Sequence, residues 1–441
     1  MRGIALRQDP QTKDRFWVHL VGVFCILSFA TFPTSISLTK YVGEVPIKLS
    51  GLFLVLLIAS SFFLGRPRSW FVTIFMATLL IGFLVAGFSG LNMSNALVES
   101  IPLLEFIGVV WIFMNMNFNS YFPVLAKYLI ACLWFSMGVE LMMSAGIIDN
   151  PFGSRASFSG SGISDIGLGR LVTPTHLLAG VCLGALGYVW ISKSANWKTI
   201  GVWFIPAITI SALASTRLLI VFIVLPAVAA AIVQKQNRGK VRLVGLAICV
   251  LITPVFIYLL SETAIPQLGL INQYSGNFIG RFYSSFASGN VWEVDNSSFY
   301  RTQESYYAMQ YILNHPLFGG GFSSVYLSSP LITGNDFLGL HGNAYSHNAY
   351  IWLALKTGLV GLALFIVGLL YVLIKLFKMK NLNEHGMPII LLISILIVGS
   401  IWNIFGNSPD SSVLGIVVGL SLAKIQTEST FTRSENMRVA I

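Results

Sequence analysis

The chain has 441 residues, 55% of them hydrophobic and only 10% charged, with a mean hydropathy of +0.77. No soluble chain of this length buries so much apolar surface, so the composition excludes a water-soluble protein and points to a polytopic membrane protein. The formal net charge is +10, but the lysines and arginines lie mainly in short connections between apolar runs, as topology determinants do, and imply no nucleic-acid partner.

The basic start (Arg2, Arg7, Lys13, Arg15) followed by an apolar run resembles a signal peptide, but the many spans behind it favour an uncleaved first helix. Reading for runs of roughly 20 apolar residues predicts twelve helices, near residues 16–33, 48–64, 69–89, 101–117, 121–146, 174–192, 198–214, 217–234, 241–260, 347–375, 387–406 and 411–424. With the N-terminus inside, every strong basic cluster falls on the inner side: Arg66 and Arg68; Lys193 and Lys198; Lys235, Arg238, Lys240 and Arg242; Lys375, Lys378 and Lys380; and the tail with Lys424 and Arg433. Both termini are therefore expected to be cytoplasmic. The expected organisation is a first bundle of about nine helices over 1–260, an outer loop subdomain over 261–346, three helices over 347–424 and a tail over 425–441. Cys25, Cys132, Cys182 and Cys249 all lie in apolar runs without ligand-like or paired spacing, which implies packing residues and neither a disulfide framework nor a metal site.

The outer connections carry the unusual residues. Arg155 and Arg170 lie in a Gly- and Ser-rich connection over 147–173, Arg217 at the outer end of two closely joined helices, and Arg281 and Arg301 in the large loop. Positive charge outside opposes the topological bias, and guanidinium groups grip phosphate oxygens at every physiological pH, so the set suggests an anionic, phosphorylated ligand. In the large loop SFYRTQESYYAMQYILN, from Ser298 to Asn314, has helical periodicity and ends before Pro316 and three glycines.

Of the histidines, His341 and His347 lie outside, close to the arginine-bearing loop, and His176 opens a span beside Pro174 and Thr175. Neutral imidazole can take a proton from a hydroxyl near physiological pH, which suits a general base in group transfer. His347, Ile351, Ala354, Gly358 and Gly361 fall within about 40° of one helical line. Such a small-residue stripe implies close helix packing, or room for a long isoprenoid tail. Lys356 lies on the opposite face and calls for a buried carboxylate or a backbone partner, with Glu105 and Glu140 as candidates.

HNAYIWLALKTGLVG, from His347 to Gly361, resembles the pattern of the O-antigen ligase and polymerase superfamily: His, then Asn, Ser or Gln (here Asn348), nine residues, Gly, two residues and a Gly-like position. YRTQESYYAMQYILNHPLFGGGF from Tyr300 to Phe322, the Ser-Thr-Arg ending in Arg217 and GRLVTPTHLLAG from Gly169 to Gly180 are similar to other segments of that family. The resemblance implies an all-α, GT-C-like integral membrane glycosyltransferase of the bacterial inner membrane, with about twelve spans and one large periplasmic loop containing short helices. It would move a glycan from undecaprenyl diphosphate to an acceptor hydroxyl at the periplasmic face, without metal or cofactor and with inversion.

His347 would then be the catalytic base and Arg217, Arg301 and Arg170 the diphosphate ligands, with Arg155, Arg281, His341, Asn348 and His176 as accessory candidates. Lys356 departs from the family pattern, which often has an acidic or neutral residue there. The implied partners are the lipid-linked oligosaccharide or polysaccharide, an acceptor that is either a lipid-linked repeat unit or lipid A core, and a chain-length regulator. The loop's net charge of −3, from two arginines against five carboxylates, tips the reading to an O-antigen or exopolysaccharide polymerase over a ligase. From another class, a precursor flippase is the alternative, kept open by Glu105 and Glu140 within spans.

Overall fold

The computed structural model describes residues 10–32, 39–42, 45–63, 70–116, 118–144, 147–148, 173–192, 197–214, 221–226, 228, 296–327, 345–379, 382–400, 402–406 and 408–439. Its helices, in chain order, are α1 (Pro10–Phe29), α2 (Leu49–Phe63), α3 (Trp70–Phe88), α4 (Met93–Met114), α5 (Phe118–Ser144), α6 (His176–Ser192), α7 (Trp197–Ala214), α8 (Asn296–Asn314), α9 (Ala349–Phe377), α10 (Leu382–Gly399) and α11 (Ser408–Val439). Among the described residues five helices are long and apolar enough to cross a membrane: α3, α4, most of α5, α9 and the first two thirds of α11. Shorter apolar helices lie within α1, α2, α6, α7 and α10. The chain is thus a helical membrane protein. Of the twelve expected spans, the ninth lies outside the described residues and the eighth is represented by a helical segment at 221–226.

The all-α expectation holds apart from one short two-stranded ribbon. Thr39–Val42 (β1) and Val45–Lys48 (β2) pair antiparallel, with Val42 opposite Val45 and Thr39 opposite Lys48. Tyr41, Val42, Val45 and Ile47 favour extended backbone, which delays the start of α2 until Leu49.

Some helix ends also differ from the apolar runs, for readable reasons. α4 begins eight residues earlier than expected because Asn92 caps it, its Oδ1 accepting from Ser94 N–H (2.9 Å) and Asn95 N–H (3.3 Å). The polar residues that hid these first two turns include Glu99, which is buried and paired (below). α1 opens at Pro10, at the helix start that tolerates proline.

α4 and α11 pack along most of their shared length. Gly415 faces the Phe106 carbonyl and Val109, and Gly419 faces Phe113 and the Val110 carbonyl. This four-residue glycine spacing lets two backbones approach closely where no hydrophobic driving force separates helix from lipid. Next to this pair α3 lies against α9, and Phe75, Phe106, Phe365 and Phe405 form an edge-to-face aromatic cluster at ring distances of 4.9–6.0 Å.

Candidate active site

α9 is not one continuous helix. Gly358 adopts φ 67° and ψ −175°, which breaks the ladder in the first third of the span. A break inside a membrane helix frees backbone groups that lipid cannot satisfy. The segment after α8, Pro316–Phe322, supplies partners instead. Gly320 N–H donates to the Leu355 carbonyl (2.8 Å) and Gly321 N–H to the Lys356 carbonyl (3.1 Å), while Leu359 N–H and Val360 N–H donate back to the Pro316 and Leu317 carbonyls (2.8 and 3.2 Å). Phe322 N–H reaches across to the Gly82 carbonyl of α3 (3.2 Å).

Glycine is required for this crossing. Gly319, Gly321 and Gly358 all have φ between 67° and 83°, and a Cβ on Gly358 would collide with the Leu317 carbonyl. The stripe expected below His347 is therefore interrupted. Gly358 is small because another backbone passes there, and the space assigned to an isoprenoid tail is filled by Leu317.

The segment is also tied down by charge. Lys356 is fully buried, its Nζ 2.8 Å from Glu99 Oε1 and donating to the Ser324 carbonyl (2.7 Å). Glu99 Oε2 accepts from Ser323 N–H, at a residue whose φ of 70° is rare outside glycine. The carboxylate that Lys356 calls for is thus Glu99. Glu105 lies instead beside Ser412 of α11 (3.5 Å), and Glu140 takes the hydroxyls of Thr31 and Thr173 (2.8 and 2.6 Å).

Anchored at its foot, α8 runs parallel to the first turns of α9. Ala308 and Ile312 pack against Ala354 and Leu355. Glu304 lies one and two turns earlier on the same face, which brings its carboxylate to His347. Both oxygens are used: Oε1 accepts from the His347 main-chain N–H (2.6 Å) and Oε2 from Nδ1 (2.7 Å). A carboxylate accepts, so Nδ1 carries the proton, and in the neutral ring Nε2 is the nitrogen with the lone pair. The two-point grip also sets the orientation of the ring. Tyr345 packs edge-on against it at 5.1 Å, and Tyr345's own carbonyl accepts from Tyr326 Oη (3.0 Å). The His347 side chain remains 24% exposed, so the pair stands at an accessible lip.

Asn348 performs a structural task. Its Oδ1 caps α9 by accepting from Tyr350 N–H (2.9 Å) and Ile351 N–H (3.1 Å), and its Nδ2 donates to the Ser400 carbonyl (3.0 Å). His176 is buried under Trp402, at a ring distance of 5.4 Å. Its Nδ1 donates to the Thr173 carbonyl (2.7 Å) and lies 4.0 Å from Asp410, whose other oxygen accepts from Trp402 Nε1 (2.7 Å). Arg301 lies on α8, one turn before Glu304. Arg155, Arg170, Arg217, Arg281 and His341 lie outside the described residues.

Glu304 is the member of this pair that sequence reasoning missed. It counted as one of five loop acids, although its spacing to Ala308 and Ile312 already places it on the inward face of an amphipathic helix.

Residues 202–366 match the family model described as O-antigen ligase. The matched stretch includes Arg217, Arg281, Arg301, Glu304, His347 and Lys356, and leaves Arg155, Arg170 and His176 outside it. No curated protein matches the chain.

Proposed function

We propose that the chain, whose residues 202–366 match the family model described as O-antigen ligase, acts as a member of the O-antigen ligase/polymerase superfamily and transfers a glycan from an undecaprenyl diphosphate carrier to an acceptor sugar hydroxyl at the periplasmic face. The observation that carries the reading is the Glu304–His347 pair, an accessible imidazole whose Nδ1 is bound by a carboxylate. In this scheme Nε2 of His347 takes the proton of the acceptor hydroxyl as its oxygen bonds to the anomeric carbon. The bond from that carbon to the diphosphate breaks, and the electron pair leaves on the diphosphate oxygen. Attack from the opposite face inverts the anomeric centre. Glu304 holds the correct tautomer and stabilises the imidazolium that forms, and supplies no proton itself.

Arg217, Arg301 and Arg170 are the proposed ligands of the departing diphosphate, with Arg155 and Arg281 assisting and His341 near the lip. Fixed guanidinium groups stabilise charge as it develops on the leaving group. In place of direct contact, burial assigns His176 a supporting role, and Asn348 acts through the helix cap.

Polymerase is the preferred reaction, on the acidic balance of the 261–346 loop, because a loop that receives a phosphate-decorated core is expected to be more basic. Ligation to lipid A core is the second reading, favoured by the description of the matching family. Membranes from cells carrying His347→Ala discriminate between them. Single lipid-linked repeats accumulating on the outer leaflet support a polymerase, and long lipid-linked polymer supports a ligase. Repeats retained on the inner leaflet would overturn both in favour of a flippase.

A further inference from the structure

α8 changes character along its length: Asn296–Ser305 is dominated by polar residues, whereas Tyr306–Phe318 is mostly apolar. Its inward face is used by Glu304, Ala308 and Ile312. Its outward face carries Tyr306, Met309 and Leu313, all exposed, and Leu317 and Phe318 extend it past the helix end. Leu313 and Leu317 are more than 60% exposed. An apolar face of this kind on a protein needs an occupant.

The surface continues directly into α9. Pro316 and Leu317 are joined to Leu359 and Val360 by backbone hydrogen bonds, and from Leu359 the exposed apolar row runs on through Val367, Leu370 and Ile374. That row is the outer face of a membrane-spanning helix, so the α8 patch is an extension of a lipid-facing surface.

Depth can be counted. Trp70 and Tyr371 pack together at 4.7 Å, at the inner ends of α3 and α9, an aromatic pair of the type that marks a membrane interface. The hydrocarbon extends about 30 Å from there, which at 1.5 Å per residue reaches roughly Phe88 on α3 and roughly Trp352 on α9. Gly358 and the Leu317–Phe318 elbow then lie about 9 Å inside that boundary. Moving back up α8, Leu313 lies inside it, Met309 at it, and Tyr306 at headgroup height. His315, in the inserted half, stacks on Tyr311 at 4.5 Å and bonds its carbonyl through Nδ1 (3.2 Å), which satisfies part of its polarity.

We infer that the second half of α8 and the Pro316–Phe318 elbow are inserted into the outer leaflet, with acyl chains of the membrane lipid covering Met309, Leu313, Leu317 and Phe318. A segment that reads as part of an extramembrane loop is thus a shallow re-entrant element, within the 5–10 Å typical of interfacial helices. Its insertion holds Glu304, at the polar end of the same helix, at headgroup height. The inference is independent of the reaction assigned to the pair.

The test uses the full chain, with all four cysteines replaced and one cysteine reintroduced at Gln303, Met309, Leu313 or Leu317, labelled with a fluorophore and placed in phosphatidylcholine nanodiscs. Quenching by lipids bearing a nitroxide on the acyl chain is compared with quenching by aqueous iodide. Labels at 313 and 317 are expected to be quenched severalfold more strongly by the acyl nitroxide than by iodide, with the reverse at 303. Iodide quenching at 313 and 317 equal to that at 303 would overturn the inference. So would protection of 313 and 317 from both quenchers, which would show that protein, such as a second copy of the chain, covers the face. Met309, Leu313 and Leu317 report on one surface, so a single variant that fails to assemble leaves the other two to decide.

Discussion

Two histidine–carboxylate pairs lie at the same end of the bundle, and they are built differently. In His347–Glu304 the carboxylate bonds Nδ1 directly at 2.7 Å, and the imidazole is 24% exposed. In His176–Asp410 the distance is 4.0 Å, both side chains are buried, and Nδ1 is bonded by the Thr173 carbonyl. Both set an imidazole beside a carboxylate. Exposure and the identity of the Nδ1 partner separate a group that can meet a substrate from one that fastens α6 to α11, and a base needs both a fixed tautomer and a free lone pair.

The largest effect that would break this comparison comes from His347→Ala. Transfer should fall by roughly 10²–10⁴-fold, the span of general-base contributions, measured as consumption of lipid-linked donor by protein in proteoliposomes, with the folded yield unchanged. Lys356→Met comes next and acts on the frame under the pair. It leaves Glu99 charged and buried, and should cost about 3–5 kcal/mol of stability, read from thermal unfolding in detergent. Adding Glu99→Gln should recover much of that loss, whereas purely additive losses would count against a coupled pair.

Glu304→Gln should leave folding intact and slow transfer by roughly 10–100-fold, less than deleting the base. The amide replaces one of two acceptors with a donor, so it cannot bond both the main-chain N–H and Nδ1–H. The smallest effect on transfer is expected from His176→Ala. Its rate should stay within about twofold while stability drops by ~1–3 kcal/mol, because a buried carbonyl and Asp410 lose a partner. A large rate loss in a well-folded His176→Ala protein would erase the distinction between the two pairs.

Legibility in the sequence follows the range of the interactions. α8 was visible as Ser298–Asn314 and is found at Asn296–Asn314, because an amphipathic period and a Pro-Gly stop are local signals. His347 stood out by its place at the mouth of a span. That Lys356 needs a carboxylate also follows from its burial within an apolar run. Which carboxylate is a tertiary matter: Glu99 is 257 positions away in sequence, and nothing local separates it from Glu105.

The break at Gly358 was hidden for a related reason. A glycine in a helical run reads as a packing position, and only the passage of Pro316–Phe322 against it reveals a backbone conformation that needs glycine. Glu304 was concealed by charge counting, which treats loop acids as solvated. The β1–β2 pair was lost because four-residue strands next to an apolar helix resemble the helix's own approach.

The most direct test of the His347 assignment is chemical rescue of His347→Gly in proteoliposomes supplied with lipid-linked donor and acceptor. If Nε2 takes the acceptor proton, the variant is nearly inactive and added imidazole restores transfer in a concentration-dependent way, while the same imidazole leaves Glu304→Gln unchanged. A His347→Gly protein that transfers glycan at the wild-type rate without imidazole would contradict the account.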